Sequence, residues 1–453
     1  MTKKNNLLHV FAVLLLFQTF TYSQGIDSIK VWLPLSEGFV SNVLINRYNL
    51  HVRNEAWADV DFDSWKSNFR NGFGTDGDRF DTNFFGHPIH GAAYYNASRS
   101  LGNNFWQSIP FAVVGSLTWE YLGENEIPSE IDFHTTTLGG IFLGECTYRI
   151  SKYLLQPNRG AKSKIVENTY LTLLNPMAQF NRLVSRRARE VMSRKSKVFP
   201  IVGELTLGAA LPNNKYNGKD FPNFFQLQYF LRHGSLFKHK GHYNPFDHFT
   251  LLAWVHVPLE KIEEDFYFNV SGAAPLFRRK TFHSSIFTVS QHYDFINNQV
   301  FKIGTMGVTA DLSWLLNKGN HFFGFSLNSG FLPFGGVGSE VAEKLSAGQT
   351  FTRDYMYGRG YLTKARMHYQ FDKLFRVTMN FNRWVIYPIQ DAKGRENSRL
   401  LQLDLMIPVA KKIQIGTQLF KYDRKARYPD LPEFQKIKQS YLELRIVSAY
   451  TFS

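Results

Sequence analysis

Residues 440–453 read SYLELRIVSAYTFS, and their spacing decides the fold class. Leu442, Leu444, Ile446, Tyr450 and Phe452 fall on even positions, with Glu443, Arg445 and Thr451 between them. Successive side chains of an extended chain point to opposite faces, so this segment is a strand with one face for hydrocarbon and one for water. The pattern recurs upstream. In RLLQLDLMIPV (399–409) Leu401, Leu403, Leu405, Ile407 and Val409 alternate with Gln402 and Asp404. In LFRVTMNFNRW (374–384) Phe375, Val377, Met379 and Phe381 alternate with Arg376, Thr378, Asn380 and Asn382. Met306, Val308, Ala310, Leu312 and Trp314 oppose Thr305, Thr309, Asp311 and Ser313, and Phe323, Phe325 and Leu327 oppose Gly324, Ser326 and Asn328.

Breaks such as PNNKYNGKD (212–220), NKGN (317–320) and DAKGREN (391–397) separate these runs, about one strand every twenty residues. Residues 197–453 are therefore expected to form an antiparallel transmembrane β-barrel of about 12 strands. A soluble β-sandwich is the rival, but it buries its apolar face and has no need of so many aromatics at strand ends. Aromatic residues make up 16% of the chain, with 42 Phe and 22 Tyr, while hydrophobic residues reach 44%. Beyond the N-terminus no apolar run attains the roughly 18 residues of a spanning helix. Many aromatics without such a helix favour spanning by strands.

The N-terminus, MTKKNNLLHVFAVLLLFQTFTYSQ, has a lysine pair, an apolar stretch from Leu7 to Phe20 and small residues before Gln24. It reads as a cleavable signal peptide over residues 1–23, which exports the chain, and the expected barrel then places it in the cell outer membrane. Its loss lowers the formal charge from +15 to +13 by removing Lys3 and Lys4. In an exported protein such a balance favours lipid or glycan over nucleic acid as a partner. Cys146 is the only cysteine, so the chain has no intramolecular disulfide.

Residues 24–83 read as an N-terminal extension without a clear pattern, and residues 84–196 as a helical module. GHPIHGAAYYNASRS (86–100) places Pro88 in the first turn of a helix. FWQSIPFAVVGSLTWEYLG (105–123) is apolar nearly all round, with Pro110 expected in its first turn, and Gly140 and Gly144 form a seam for close helix approach. One amphipathic helix is expected from Asn175, with Met177, Phe180, Val184, Ala188 and Val191 as its apolar stripe. Arg182, Arg186, Arg187, Arg189 and Arg194 make its other side cationic, a surface for anionic lipid headgroups through Arg182, Arg186, Arg187 and Arg189 above all.

HPIHGAAYYNASRS, FWQSIPFAVVGSLTWEYLGENEIPS, TTLGGIFLGECTYRIS, LLNPMAQFNRL and NPFDHF together resemble a family of exported Bacteroidota envelope proteins known as domain of unknown function 3943. The resemblance runs from about residue 84 to 185 and resumes near Asn244. It implies an outer-membrane or envelope protein with helices ahead of β-structure, and it supplies no activity to carry over.

Within the module, His87 and His90 are three apart and can share one helical face, as metal ligands do. Glu120 and Glu124 are like charges four apart on an apolar helix, and a cation, a proton or water must relieve them. If their helices meet, the two histidines and two carboxylates are candidate metal ligands, or with Arg99 candidate catalytic groups. The structural reading makes His87 a cap, pairs Arg99 with Glu120 or Glu124 and Glu145 with Arg149, and treats Asp132 and His134 as helix-start residues. Ser98 and Ser116 lack a G-x-S-x-G elbow, and no phosphate loop, Cys-His zinc pattern or EF-hand loop occurs. The expected function is a non-enzymatic, structural or transport-related outer-membrane barrel, with the helical module at or in its periplasmic mouth. The alternative is a membrane-embedded lipid-modifying or hydrolytic enzyme using the His/Glu cluster.

Overall fold

The computed structural model describes residues 27–74, 77–156, 163–194, 199–210, 215–216, 219–220, 224–258, 267–282, 284–298, 302–347, 353–389 and 392–452. The signal-peptide segment lies outside them. The chain divides into two compact units between Val198 and Phe199.

The first unit is helical. Its helices are α1 (Ile29–Tyr48), α2 (Phe62–Asn71), α3 (His87–Ser100), α4 (Phe105–Leu122), α5 (Glu130–His134), α6 (Gly140–Leu154), α7 (Lys164–Leu174), α8 (Pro176–Val184) and α9 (Arg186–Ser193). Two of them come from the stretch before residue 84 that has no clear sequence pattern. Asn42 and Asn46 of α1 explain why that helix is needed: Asn42 donates to the Gly115 carbonyl at 3.3 Å, and Asn46 to the carbonyls of Ala58 and Gly123 at 2.8 and 2.9 Å.

Helix α4 starts earlier than Pro110 suggests. Asn104 and Gln107 cap it reciprocally, at 2.9 and 3.0 Å, so Pro110 falls inside the helix rather than in its first turn. The glycine seam brings α3 and α6 into backbone contact. A Cβ on Gly140 would lie 2.5 Å from the Gly91 carbonyl carbon, and one on Gly91 only 1.8 Å from the Thr136 carbonyl oxygen. The single helix expected from Asn175 is two, because Ser185 adopts an extended backbone and caps α9. Its burial also differs from the expected stripe: Phe180 and Val184 are exposed, while Ala178, Asn181, Ala188 and Met192 are buried. Among the described residues no helix is long and apolar enough to cross a membrane.

The second unit is a closed antiparallel barrel of twelve strands: β1 (Ile201–Ala210), β2 (Phe224–His233), β3 (Phe249–Pro258), β4 (Tyr267–Phe282), β5 (Ser285–Asn297), β6 (Lys302–Lys318), β7 (His321–Gly338), β8 (Tyr355–Phe371), β9 (Phe375–Pro388), β10 (Arg395–Ala410), β11 (Ile413–Arg427) and β12 (Ile437–Phe452). A short hairpin, Lys215–Tyr216 with Lys219–Asp220, stands in the β1–β2 connection. Each strand pairs with its neighbours in sequence, and closure joins β12 to β1, with Phe452 opposite Gly203 and Arg445 opposite Ala210. No edge is left unpaired, which a lipid-embedded sheet requires.

The alternation points as expected. On β12, Leu444 and Ile446 are 51% and 61% exposed on the outside, while Glu443 and Arg445 are 3% and 0% exposed on the inside. Leu405 and Ile407 of β10 and Ile413 and Ile415 of β11 continue the apolar outer surface. Met306 departs from the pattern and is buried, at a shift of register between Met306 and Val308. Aromatic rings gather at both ends of the wall. Tyr369, Phe371, Phe375, Tyr450 and Phe452 stand at one end and Tyr361 and Tyr387 at the other.

The first end carries the short turns at 319–320, 372–374 and 411–412, the longer connection 234–248, the start of β1 and the end of β12. The β1–β2, β7–β8 and β11–β12 strand ends are joined at the other end. The β7–β8 connection holds α10 (Glu340–Ser346), a helix that the sequence reading did not anticipate. Val341 and Ala342 of α10 join a buried cluster with Trp384, Leu400, Phe420 and Tyr428. Side chains also cross the lumen. The Trp384 indole on β9 donates to Asp294 on β5 at 2.8 Å, Lys364 of β8 reaches the same carboxylate at 2.7 Å, and Arg376 of β9 forks onto Glu204 of β1 at 2.7 and 3.0 Å.

Candidate functional site

Helices α3 and α4 and the residue run just after α4 carry the candidate metal and catalytic residues His87, His90, Arg99, Glu120 and Glu124. Thr82–Gly86 form a π-turn that runs straight into α3, with Pro88 in the first helical turn. His87 thus sits, 8% exposed, at the junction of turn and helix. Its Nε2 is 3.3 Å from Asp132 Oδ2 and 3.5 Å from Asp78 Oδ2, and its Nδ1 is 3.2 Å from the Thr136 hydroxyl. Asp132 stands at the start of α5, where its backbone N–H donates to the Ser129 cap at 3.2 Å. It is a helix-start residue whose carboxylate also reaches the histidine. Asp78, half exposed, comes from the segment before α3 and escaped the sequence reading because it stands apart from any motif.

His90 faces elsewhere. Its ring meets the Trp119 indole edge-on at 5.1 Å, and its Nε2 is 2.8 Å from the Tyr94 hydroxyl. Tyr94 gives its single proton to the Asn42 side-chain oxygen. His90 must then carry hydrogen on Nε2 and donate it to Tyr94. Burial, with His87 as a second cause, pushes the His90 imidazole down to about 3, so the ring is neutral and already committed. Glu124 accepts from the Trp119 indole at 2.6 Å, and Glu120 accepts the Ser129 backbone N–H at 2.7 Å, which ties the end of α4 to the start of α5. The four groups of the anticipated His/Glu cluster thus lie in one neighbourhood but make separate contacts. Among the described residues the set with metal-ligand geometry is Asp78, His87 and Asp132, which retains His87 alone of the four.

Arg99 pairs with neither Glu120 nor Glu124. Its guanidinium forks onto Glu145 at 2.6 and 2.9 Å, stacks 4.1 Å over the Tyr148 ring and donates to the Asn103 carbonyl at 2.6 Å. Glu145 also accepts from Arg149 at 2.7 Å, one helical turn on, and from the Tyr95 hydroxyl at 2.8 Å. Burial alone would raise the Glu145 carboxyl, but the two guanidinium groups hold it down at about 2. Two cations and a hydroxyl around one carboxylate, with no open position, make a structural knot at the α3–α6 crossing rather than a reaction centre.

Of the arginines expected at a lipid surface, Arg182 donates to Gln179 at 2.8 Å and pairs with Glu167 at 3.4 Å. Arg187 binds Asp27 and the Leu101 carbonyl, and Arg189 the carbonyls of Arg182 and Leu183. Arg186 pairs with Glu190 at 3.0 Å while 88% exposed. Beside them Ile165, Tyr170 and Leu173 of α7 and Phe180, Leu183 and Val184 of α8 are all exposed.

The helical neighbourhood just described coincides with a known sequence family. Residues 72–177 match a domain of unknown function, DUF3943. That match spans α3 to α7 and includes Asp78, His87 and Asp132. No curated protein matches the chain by sequence. Among solved structures, the barrel resembles the KdgM porin (9% identity, TM-score 0.26, 55% of this chain and 99% of that one), OmpT of Vibrio cholerae (7%, 0.23, 57% and 100%) and the outer-membrane channel DcaP of Acinetobacter baumannii (8%, 0.25, 57% and 99%). At those scores the likenesses add nothing to the strand pairing, which by itself establishes the closed barrel.

Proposed function

We propose that this protein resides in the outer membrane, spanning it with the twelve-stranded barrel, and serves a transport or structural role rather than a catalytic one. The observation that carries the reading is the inverted wall: Leu444 and Ile446 outside, Glu443 and Arg445 inside. In a water-soluble barrel the outward leucines would be the costly ones, whereas in lipid they are solvated by hydrocarbon. The start of β1 and the end of β12 share one rim with the short turns 319–320, 372–374 and 411–412 and the longer connection 234–248, and we place that rim on the periplasmic side. Export by a cleavable signal peptide over residues 1–23 and an origin in the Bacteroidota belong to the same reading.

The lumen in this state is bridged, so solute passage requires α10 and its contacts to move. Arg424 of β11 is the centre of that latch. It bonds Glu396 at 3.0 and 3.1 Å and Glu340 of α10 at 2.9 Å, and Tyr428 donates to Glu396 at 2.7 Å. The exposed apolar side chains of α7 and α8, flanked by Arg182 and Arg186, suit the headgroup region of an anionic leaflet, and this is the lipid contact we assign to the helical unit.

The test is direct. The folded chain in detergent is expected to migrate differently in unboiled and boiled gels, and in planar bilayers to conduct little until Arg424 is replaced by alanine. A protein that remains monodisperse in plain buffer would refute membrane residence, and an Arg424→Ala conductance equal to wild type would refute the latch.

A further inference from the structure

The geometry points to a divalent transition-metal site, Zn2+ by its donor set, formed by Asp78 Oδ2, His87 Nε2 and Asp132 Oδ2. All three donors lie within 4.8 Å of one another. Tetrahedral ligands about 2.1 Å from a zinc ion stand about 3.4 Å apart. The two measured separations from His87 are 3.3 and 3.5 Å, one on either side of that value.

A hydrogen-bonded Asp–His pair is the competing arrangement, and the orientation of the ring argues against it. His87 is more than nine-tenths buried, yet its Nε2 makes no hydrogen bond, although both carboxylates are within 3.5 Å. Neither oxygen is placed to receive an N–H from that nitrogen. A lone pair aimed between two carboxylates, with Nδ1 held by the Thr136 hydroxyl, is how a histidine ligand is presented to a cation. One imidazole and two carboxylates form a borderline set suited to Zn2+ or Mn2+. Asp132 is buried and Asp78 half exposed, so the ion enters from the Asp78 side and keeps water in a fourth position there. Bound metal would tie the segment before α3, the first turn of α3 and the start of α5 to one point. That is a function for the matched family segment which neither the barrel nor its proposed role supplies.

The experiment uses the full chain, refolded in detergent and stripped with EDTA, titrated with Zn2+ against a chromophoric chelator, and with Co2+ for its visible d–d absorption. One equivalent of Zn2+ should bind, with a tetrahedral Co2+ spectrum that Zn2+ bleaches. Asp78→Asn, which alters a half-exposed side chain and leaves the fold alone, should weaken binding at least tenfold. His87→Gln and Asp132→Asn should abolish it, whereas Glu124→Gln should leave it unchanged. Failure of the wild-type chain to take up one equivalent, or uptake that Asp78→Asn leaves unaltered, would overturn the assignment. Heat-modifiable migration, recorded on the same samples, reports the barrel independently, so loss of metal binding with an intact barrel refutes the metal site alone.

Discussion

The helical unit and the barrel place charge and grease in opposite positions. In the helical unit Phe84, Tyr95 and Phe142 are buried, and a fully buried carboxylate, Glu145, is held by Arg99, Arg149 and Tyr95. In the barrel Arg445 is buried beside Glu443 and Tyr422, while Leu444 and Ile446 face outward. The rule is the same in both: each side chain goes to the solvent that suits it, and each buried charge needs a partner. On the proposed reading what differs is the solvent beyond the surface, hydrocarbon for the barrel and largely water for the helical unit. An exposed leucine is therefore a liability on α7 unless a lipid surface meets it, and an asset on β12.

The contrast can be broken first at Glu145. Glu145→Ala leaves two guanidinium groups buried without their carboxylate, and should cost the helical unit about 3–5 kcal/mol. Limited proteolysis should then cut within residues 84–194 while gel migration of the barrel stays heat-modifiable. Loss of both together would show that the two units fold as one. The complementary change is Leu444→Arg, a charge on the lipid side of β12, which should lower barrel stability by about 2–4 kcal/mol in bilayers or detergent. Gln418→Leu, inside the lumen, should cost less, and urea titrations by tryptophan fluorescence compare the two. Equal effects would mean that the outer wall does not touch hydrocarbon.

The narrowest effect is a pH dependence confined to the helical unit. Burial pushes the Glu37 carboxyl up to about 7, a shift that the Asn181 side chain, donating at 3.0 Å, partly offsets. Because the folded state holds this proton more tightly than the unfolded chain, stability from Glu37 is complete below about 4.5 and is lost as pH rises through about 7. Glu37→Gln should therefore stabilise the unit by roughly 3 kcal/mol at pH 8 and have little effect near pH 4.5. Circular dichroism melts at the two pH values read it, and a difference that does not change with pH would remove Glu37 from the account.

Some features were legible because they are local. The strand faces repeat every second residue, so SYLELRIVSAYTFS carries its own orientation, and the Gly140 and Gly144 spacing announces a close helix crossing. The Glu145–Arg149 pair is also local, one turn apart on α6. Others were hidden because their partners are distant in sequence. Arg99 finds Glu145 across the α3–α6 crossing, and His87 finds Asp132 on another helix. Helix α1 was missed because its buried face is built from Glu37, Asn42 and Asn46, polar residues that leave no hydrophobic period to read. Helix α10 is about two turns long, and its apolar residues acquire meaning only against Trp384 and Tyr428.

The amino-acid order alone determined that the strands are two-faced, because strand polarity is written in the period of neighbouring residues, whereas closure rests on the pairing of β12 with β1 and Met306 is turned inward at a register shift. Only tertiary structure decided which charges meet. Asp78, His87 and Asp132 converge because a π-turn, a helix start and a second helix start are brought to one point, and Arg99 is claimed by Glu145 because the glycines let two backbones touch. Those outcomes depend on distances through space, and the linear spacing of residues does not contain them.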